Sequence, residues 1–353
     1  MIFVTGGCGF IGTRFVLDCV QHRREELINL DALTYAARPQ ALAPISDDPR
    51  YHFIHGDIGD RTLVASILAE YRPRAIVHLA AETHVDRSIE DATVFAQTNT
   101  IGTLVLLQAT RAWLATLAPP EAARFRFLHC STDEVFGSLA TDEPPCDENA
   151  PYRPRNPYSA SKAAADHFVS AFHATHGLPV LITRAANTYG PGQYPEKLIP
   201  LALERLLAGE PVPLYGDGRA VRDWLYVDDH VAALHAVLQH GRPGQSYHVA
   251  GGQAMTNRAL VERLIGIFDR EVPDRVISAG ATVVGTGHRQ PPLQAVDGER
   301  IRFVADRPGH DLRYALDDRR LRAASGWAPA TGLDEGLHQT VRARLAEGQM
   351  QTT

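Results

Sequence analysis

Near its start the chain passes from a short apolar run, Ile2-Phe3-Val4-Thr5, straight into Gly6-Gly7-Cys8-Gly9-Phe10-Ile11-Gly12 and then a helical period. Glycines at that junction let the backbone turn tightly from strand to helix. They also let peptide N–H groups approach an anion at the helix N-terminus, where the dipole favours negative charge. A glycine turn alone is a weak signal, and its context decides its meaning. Further apolar runs follow at residues 27–31, 52–55, 75–79, 127–131 and 180–184. They are separated by helical stretches at 10–20, 63–71, 95–110 and 158–173. Strands alternating with helices predict parallel βαβ units, with helices on both faces of one sheet.

The expected fold class is therefore α/β: a Rossmann-type doubly wound parallel sheet with a smaller interleaved α/β C-terminal substrate domain. After the sixth strand Pro191, Pro195, Pro200, Pro211 and Pro213 punctuate a stretch that reads as loop-rich, and Gly216-Asp217-Gly218 reads as a turn. A helical period returns at 227–239. Residues 1–185, rejoined by about 224–250, are expected to form the dinucleotide-binding domain. Residues 186–223 with 251–335 are expected to form the smaller domain. The glycine- and proline-bearing segment 273–300 lacks periodicity and reads as a long exposed loop.

With 353 residues, 44% hydrophobic and 22% charged, the composition is that of a globular enzyme. A net charge of -6 without a long basic run argues against a nucleic-acid groove. No apolar run reaches the roughly 18 residues of a membrane span. The first residues enter a strand rather than a signal sequence. Cys8, Cys19, Cys130 and Cys146 form no C-x-x-C pair and read as reduced thiols of a cytoplasmic protein. His52 and His55 lie at i and i+3 of a strand, on opposite faces, so no metal site is expected.

Asp31 ends the second strand, where a carboxylate can accept hydrogen bonds from adenine ribose hydroxyls. It would repel a 2′-phosphate, which favours NAD over NADP. Asp57 and Ile58 follow the third strand within reach of the adenine. Leu79, Ala80 and Ala81 end the fourth and are small enough for a cofactor to lie against the backbone. Tyr158 and Lys162 are spaced i, i+4 and share a helix face. An ammonium beside the phenol, with a cationic nicotinamide, would favour a tyrosinate able to take a carbinol proton as hydride leaves. Thr132-Asp133-Glu134 precedes this pair and could supply one carboxylic acid and one carboxylate. Adjacent residues of a regular strand face opposite sides, so joint action requires the chain to leave strand geometry near Thr132.

These features together resemble the extended short-chain dehydrogenase/reductase family over nearly the whole chain. Within that family the likeness is to nucleotide-sugar 4,6-dehydratases of the dTDP-glucose type. It is carried by the stretches at 31–36, 78–88, 131–137, 195–200, 222–227 and 305–311. The resemblance implies NAD-dependent conversion of dTDP-glucose to dTDP-4-keto-6-deoxyglucose, an entry step to deoxysugars. Thr132 would bond the sugar O4, Asp133 would protonate the leaving C6 hydroxyl and Glu134 would take the C5 proton. Tyr158 would deprotonate the C4 hydroxyl, and Lys162 would bind the nicotinamide ribose.

For the cofactor the resemblance implies Gly6, Gly9, Phe10, Ile11, Gly12, Asp31, Leu33, Thr34, Asp57, Ile58, Leu79, Ala80, Ala81 and Thr98, besides Tyr158 and Lys162. For the sugar diphosphate it implies Asn187, Lys197, Leu198, Arg222, Asn257, Arg307 and His310, with Tyr215 flanking the base. Glu82, Thr83 and Glu196 would lie near the hexose. Arg222 is the strongest diphosphate candidate, because a guanidinium forks onto phosphate oxygens. Thr188 stands where a second Asn is usual, and Phe136 where Tyr is frequent. The resemblance also implies a homodimer through a four-helix bundle, with helices 95–110 and 158–173 the matching candidates.

Three other readings remain open on sequence. A dehydratase acting on UDP-glucose or GDP-mannose would use the same machinery. A nucleotide-sugar 4-epimerase would use Tyr158 and Lys162 but would not need Asp133 and Glu134. An NAD-sensing binding protein would need none of the four.

Overall fold

The structure, a computed structural model, describes residues 1–272 and 299–350. Residues 273–298 of the expected long loop lie outside the described residues. Twelve strands occur among the described residues: β1 (Ile2–Thr5), β2 (Leu27–Asp31), β3 (Tyr51–His55), β4 (Ala75–His78), β5 (Arg126–Thr132), β6 (Val180–Ala185), β7 (Asn187–Tyr189), β8 (Val212–Tyr215), β9 (Val221–Tyr226), β10 (Ser246–Val249), β11 (Ala254–Thr256) and β12 (Ile301–Val304). Seven of them form one parallel sheet in the order β10-β6-β5-β4-β1-β2-β3. The strand order reverses between β1 and β4. The crevice there, at the carboxyl ends of the strands, is the standard ligand position of a doubly wound sheet.

Burial on both faces explains the continuous apolar runs. Phe15, Val16, Val231 and Leu234, from the helices Phe10–Leu17 and Val227–His240, pack on one face. Leu106, Leu107, Val169 and Phe172, from Thr103–Leu114 and Pro157–His176, pack on the other. A third core gathers Ile199, Leu203, Leu260, Leu264, Leu337 and Val341 from the helices Leu198–Ala208, Asn257–Glu271 and Leu333–Met350. Beside it stand the small sheets β11-β9-β7 and β12-β8.

Three expectations are corrected by backbone detail. The helix expected at 95–110 is a short turn Ala92–Phe95, a π-helical stretch Ala96–Gly102 and an α-helix Thr103–Leu114. The first helix is α only to Leu17, and Asp18–His22 is π-helical. The supposedly loop-rich segment holds the helix Leu198–Ala208, with Pro200 in its first turn, where the missing N–H costs nothing.

Candidate active site

At the β1 turn Gly6 takes φ +75, and a Cβ there would meet the Ala80 backbone nitrogen at 2.6 Å. A Cβ at Gly12 would stand 2.1 Å from the Gly6 carbonyl oxygen. Glycine is therefore required both for the turn and for close approach of the helix. Gly9 caps the helix Phe10–Leu17 without any side-chain hydrogen bond, which leaves that N-terminus open to an anion. Asp31 accepts from the backbone N–H of Cys8 and of Leu33, both at 2.8 Å. Those bonds fix its carboxylate at the end of β2, and each oxygen retains a lone pair for a hydroxyl donor.

A cleft at the switch point is lined by Gly6, Gly9, Asp31 and Thr34 on one side and by Asp57, Ile58, Leu79, Ala80, Ala81 and Thr98 on the other. Phe10, Ile11, Gly12 and Leu33 stand behind that lining, in the turn and the adjoining segment. Glu82 joins this cleft rather than the larger cavity described below. Its peptide N–H donates to Asn99 Oδ1 at 2.9 Å, and Asn99 Nδ2 returns a bond to the Glu82 carbonyl and another to Ser161 Oγ. Thr98 and Asn99 both belong to the π-helical stretch, a frequent accommodation at functional sites.

β5 ends at Thr132, and Asp133–Phe136 forms a single 3-10 turn closed by Gly137 at φ +72. The two carboxyls thus leave strand geometry where they meet. Thr132 Oγ1 accepts from the Glu134 N–H at 3.3 Å and donates to Asp133 Oδ1 at 3.1 Å. Asp133 is buried, and its Oδ2 has no hydrogen-bond partner. Burial first, and the nearby Glu134 charge second, push its carboxyl up to about 8, with Arg222 opposing. Glu134 reaches the cavity wall, and its Oε2 accepts from Ser159 Oγ at 3.1 Å and Asn156 Nδ2 at 3.4 Å.

Asn156 caps the helix Pro157–His176, whose first turns carry Tyr158 and Lys162. Lys162 is buried, its Nζ donates to the Cys130 carbonyl at 2.7 Å, and burial lowers its proton affinity. Tyr158 is buried as well. Burial and the Glu134 charge push its phenol well above its ordinary value, and Lys162 does not offset them.

A cavity of about 670 Å³ opens beyond Glu134. It is lined by Asn187, Glu196, Lys197, Leu198 and Tyr215, and by Arg222, Asn257, Arg307 and His310. Thr132, Asp133, Tyr158, Lys162 and Thr83 are not in its wall, although the Thr83 carbonyl accepts from Lys197 Nζ at 2.7 Å. Asn187 Oδ1 and Asn257 Oδ1 are buried without partners, two acceptors suited to hydroxyl or amide donors of a ligand. Arg222 is buried and stacks on the Tyr314 ring at 4.2 Å. It donates to the carbonyls of Val221 at 2.8 Å and Asp311 at 2.9 Å, so only part of its fork is left for a phosphate.

Sequence reasoning missed Asp86, His84, Gln193, Arg205 and Trp224 in this wall. Asp86 had a signal in the stretch around it. In the structure it accepts from Tyr215 OH at 2.9 Å and lies 3.6 Å from Arg307. Arg205 had none, because its helix reads as loop.

Residues 3–340 match the family model described as GDP-mannose 4,6 dehydratase. A dTDP-glucose 4,6-dehydratase of Haemophilus influenzae is 44% identical over 97% of this chain and 96% of its own. One of Xanthomonas campestris pv. campestris (strain B100) is 46% identical over 96% and 91%. The chain belongs to the dTDP-glucose 4,6-dehydratase family. The solved dTDP-glucose 4,6-dehydratase of Streptomyces venezuelae, crystallised with NAD bound, is 43% identical with a TM-score of 0.83 and covers 99% of this chain and 98% of that one. The seven-stranded parallel sheet with flanking helices is the Rossmann-type α/β fold of these relatives. No metal-binding cluster of His, Cys, Asp and Glu occurs among the described residues. No described helix is long and apolar enough to cross a membrane.

Proposed function

We propose that this chain converts dTDP-glucose to dTDP-4-keto-6-deoxyglucose with NAD bound at the β1 turn. The observation that carries the reading is the unequal carboxyl pair: Asp133 buried with an unpartnered oxygen and its carboxyl pushed up, Glu134 hydrogen-bonded and facing the cavity. An epimerase has no use for a neutral carboxylic acid beside a carboxylate.

The open N-terminus of the helix Phe10–Leu17 would hold the cofactor pyrophosphate, and Asp31 the adenosine ribose. Bound NAD would supply the hydride acceptor for C4 and the hydride donor for C6. Tyr158 takes the C4 hydroxyl proton and Thr132 orients that oxygen. Because burial and Glu134 disfavour the phenolate, Tyr158 depends on the positive charge of an oxidised nicotinamide to ionise. The C4 ketone acidifies C5–H, and Glu134 removes that proton. Asp133 gives its proton to the C6 hydroxyl, which departs as water, and Glu134 would return a proton to C5 as hydride is added at C6. Arg307, Lys197 and the free part of the Arg222 fork bind the diphosphate. Tyr215, held by Asp86, flanks the base.

We also divide the chain into a cofactor domain, residues 1–185 with about 224–250, and a sugar-nucleotide domain, 186–223 with 251–335. The pairing of β10 beside β6 in the main sheet supports the re-entry. A cytoplasmic homodimer fits the exposed apolar side chains Ile89, Val94, Ile101 and Phe168 on the helices flanking the sheet.

The reading is tested by turnover of dTDP-glucose, UDP-glucose and GDP-mannose in deuterated water. Deuterium at C5 with loss of the C6 oxygen, fastest on dTDP-glucose, is expected. A C4-inverted product that keeps its C6 hydroxyl would make the chain an epimerase.

A further inference from the structure

Two adjacent carboxyls share one turn, yet hydrogen-bond donors reach them unequally. Asp133 receives one hydroxyl, from Thr132, and keeps a buried Oδ2 without a partner. Glu134 Oε2 receives both Ser159 Oγ and Asn156 Nδ2. We propose that Ser159, with Asn156, is the positioning residue that makes Glu134 rather than Asp133 the base. It holds one carboxylate oxygen at the helix start and leaves the other facing the cavity for the C5 proton. This rests on the proposed dehydration.

The local geometry explains how. Asn156 is the N-cap of the helix Pro157–His176, and its Oδ1 accepts the Ser159 N–H at 2.8 Å. The Ser159 hydroxyl has one proton and two acceptors within reach, Asn156 Oδ1 at 3.0 Å and Glu134 Oε2 at 3.1 Å. A charged acceptor wins that choice while Glu134 is a carboxylate, because charge-assisted bonds are the stronger ones. As Glu134 takes the C5 proton its charge disappears, and the hydroxyl can turn to Asn156 Oδ1 without leaving an orphan. No covalent bond changes at Ser159. The donors also work against an acidic neighbourhood. Asp133 on the same turn, Tyr158 on the helix, and Asp311 and Tyr314 on the facing segment all feel the Glu134 charge. Because the donors belong to the cap of the helix that carries Tyr158, the oxidising and eliminating groups are set by one turn of backbone.

The test is a single turnover of the NAD-loaded enzyme, chemically quenched, with the 4-keto hexose and the 4-keto-6-deoxy product counted by mass. Ser159→Ala is sterically undemanding and favours helix. It should let the 4-keto hexose accumulate and decay at least about tenfold more slowly, a part of the roughly 10²- to 10⁴-fold that a general base contributes. The formation of that ketone should keep its rate, because Ser159 does not touch the groups that oxidise C4. Asn156→Ser keeps a cap but loses Nδ2, and should slow the decay less. Unchanged decay in Ser159→Ala, or equal slowing of ketone formation and elimination, would overturn the proposal. Glu134→Gln separates the two levels: if it still exchanges C5, the dehydratase assignment of the base fails, whereas a silent Ser159→Ala beside an inactive Glu134→Gln sinks the inference alone.

Discussion

Asp133 must keep its proton at the pH where the enzyme works, and burial beside Glu134 does this by pushing it up to about 8. Asp133→Asn keeps the shape and one donor but has no acid proton. Elimination should fall about 10²- to 10⁴-fold while C4 oxidation persists, as quenched single turnovers would show. Wild-type elimination should lose rate as pH rises through about 8, since the proton is then lost. Stability should fall in the same direction of pH. Between its ordinary 3.8 and about 8 the folded state binds a proton that the unfolded chain does not. Stability from this group therefore falls as pH rises. Asp133→Asn should raise the melting temperature at pH 7, and the gain should vanish below about pH 4, where both states are protonated. An unchanged melting curve at pH 7 would mean the buried carboxyl is not strained. The residue types of this site are legible in sequence, because Thr132-Asp133-Glu134 and Tyr158-x-x-x-Lys162 have few other uses after a glycine turn. Their protonation is not. The spacing of Tyr158 and Lys162 carries no information on depth, and it is burial, with the Glu134 charge, that pushes the phenol up.

The helix Pro157–His176 carries Tyr158, Lys162 and Asp166 at successive fourth positions, all buried against the sheet. Burial alone would raise Asp166, but Arg184, His129 and Lys162 hold it well below the carboxylate range. Arg184 Nε donates to Asp166 Oδ2 at 2.9 Å, and Tyr152 OH donates to the same oxygen at 2.8 Å. His129 Nε2 lies 3.2 Å from Asp166 Oδ1, while Arg184 ties the helix to β6 and Tyr152 ties it to the segment that precedes it. Asp166→Asn strands a buried Arg184 and removes the counter-charge of Lys162. It should cost about 3–5 kcal/mol in urea unfolding, the usual price of breaking a buried pair. The depressed carboxyl contributes fully above about pH 4 and is lost only as pH falls through its folded value in stronger acid. A midpoint within error of wild type would show that the pair does not tie the helix down. Elements with long regular periods are the ones that sequence reveals, this helix among them. The π-helical stretch Ala96–Gly102 is invisible, because one extra residue in a turn is chosen by the tertiary contacts of Asn99. The three-residue strands β7 and β11 are too short to show alternation. Leu198–Ala208 is masked by prolines that turn out to serve its entry.

At the scale of the molecule the sugar-nucleotide cavity is closed by contacts between segments distant in sequence. Tyr35 OH donates to Glu196 at 2.8 Å and carries the Arg87 guanidinium 3.9 Å from its ring centre, while Tyr215 reaches Asp86. None of these pairs is readable from one sequence, since each depends on how the segments fold back. The outer surface poses a related question of what covers it. Ile89, Val94, Ile101 and Phe168 are 39%, 43%, 41% and 37% exposed, and they sit on helical segments that pack beside one another on one face of the sheet. Single exposed apolar residues need no explanation, but several on adjoining helices suit a self-complementary two-fold interface. A charge at the centre of such a patch must be desolvated in a dimer, whereas on a monomer it remains in water. Ile101→Glu with Phe168→Glu should therefore yield monomers by sedimentation equilibrium at concentrations where the wild-type chain is dimeric. The monomer should melt at a lower temperature and lose the concentration dependence of its melting point, because association no longer adds to folding. Two glutamates that leave the sedimenting mass of a wild-type dimer unchanged would place the interface elsewhere.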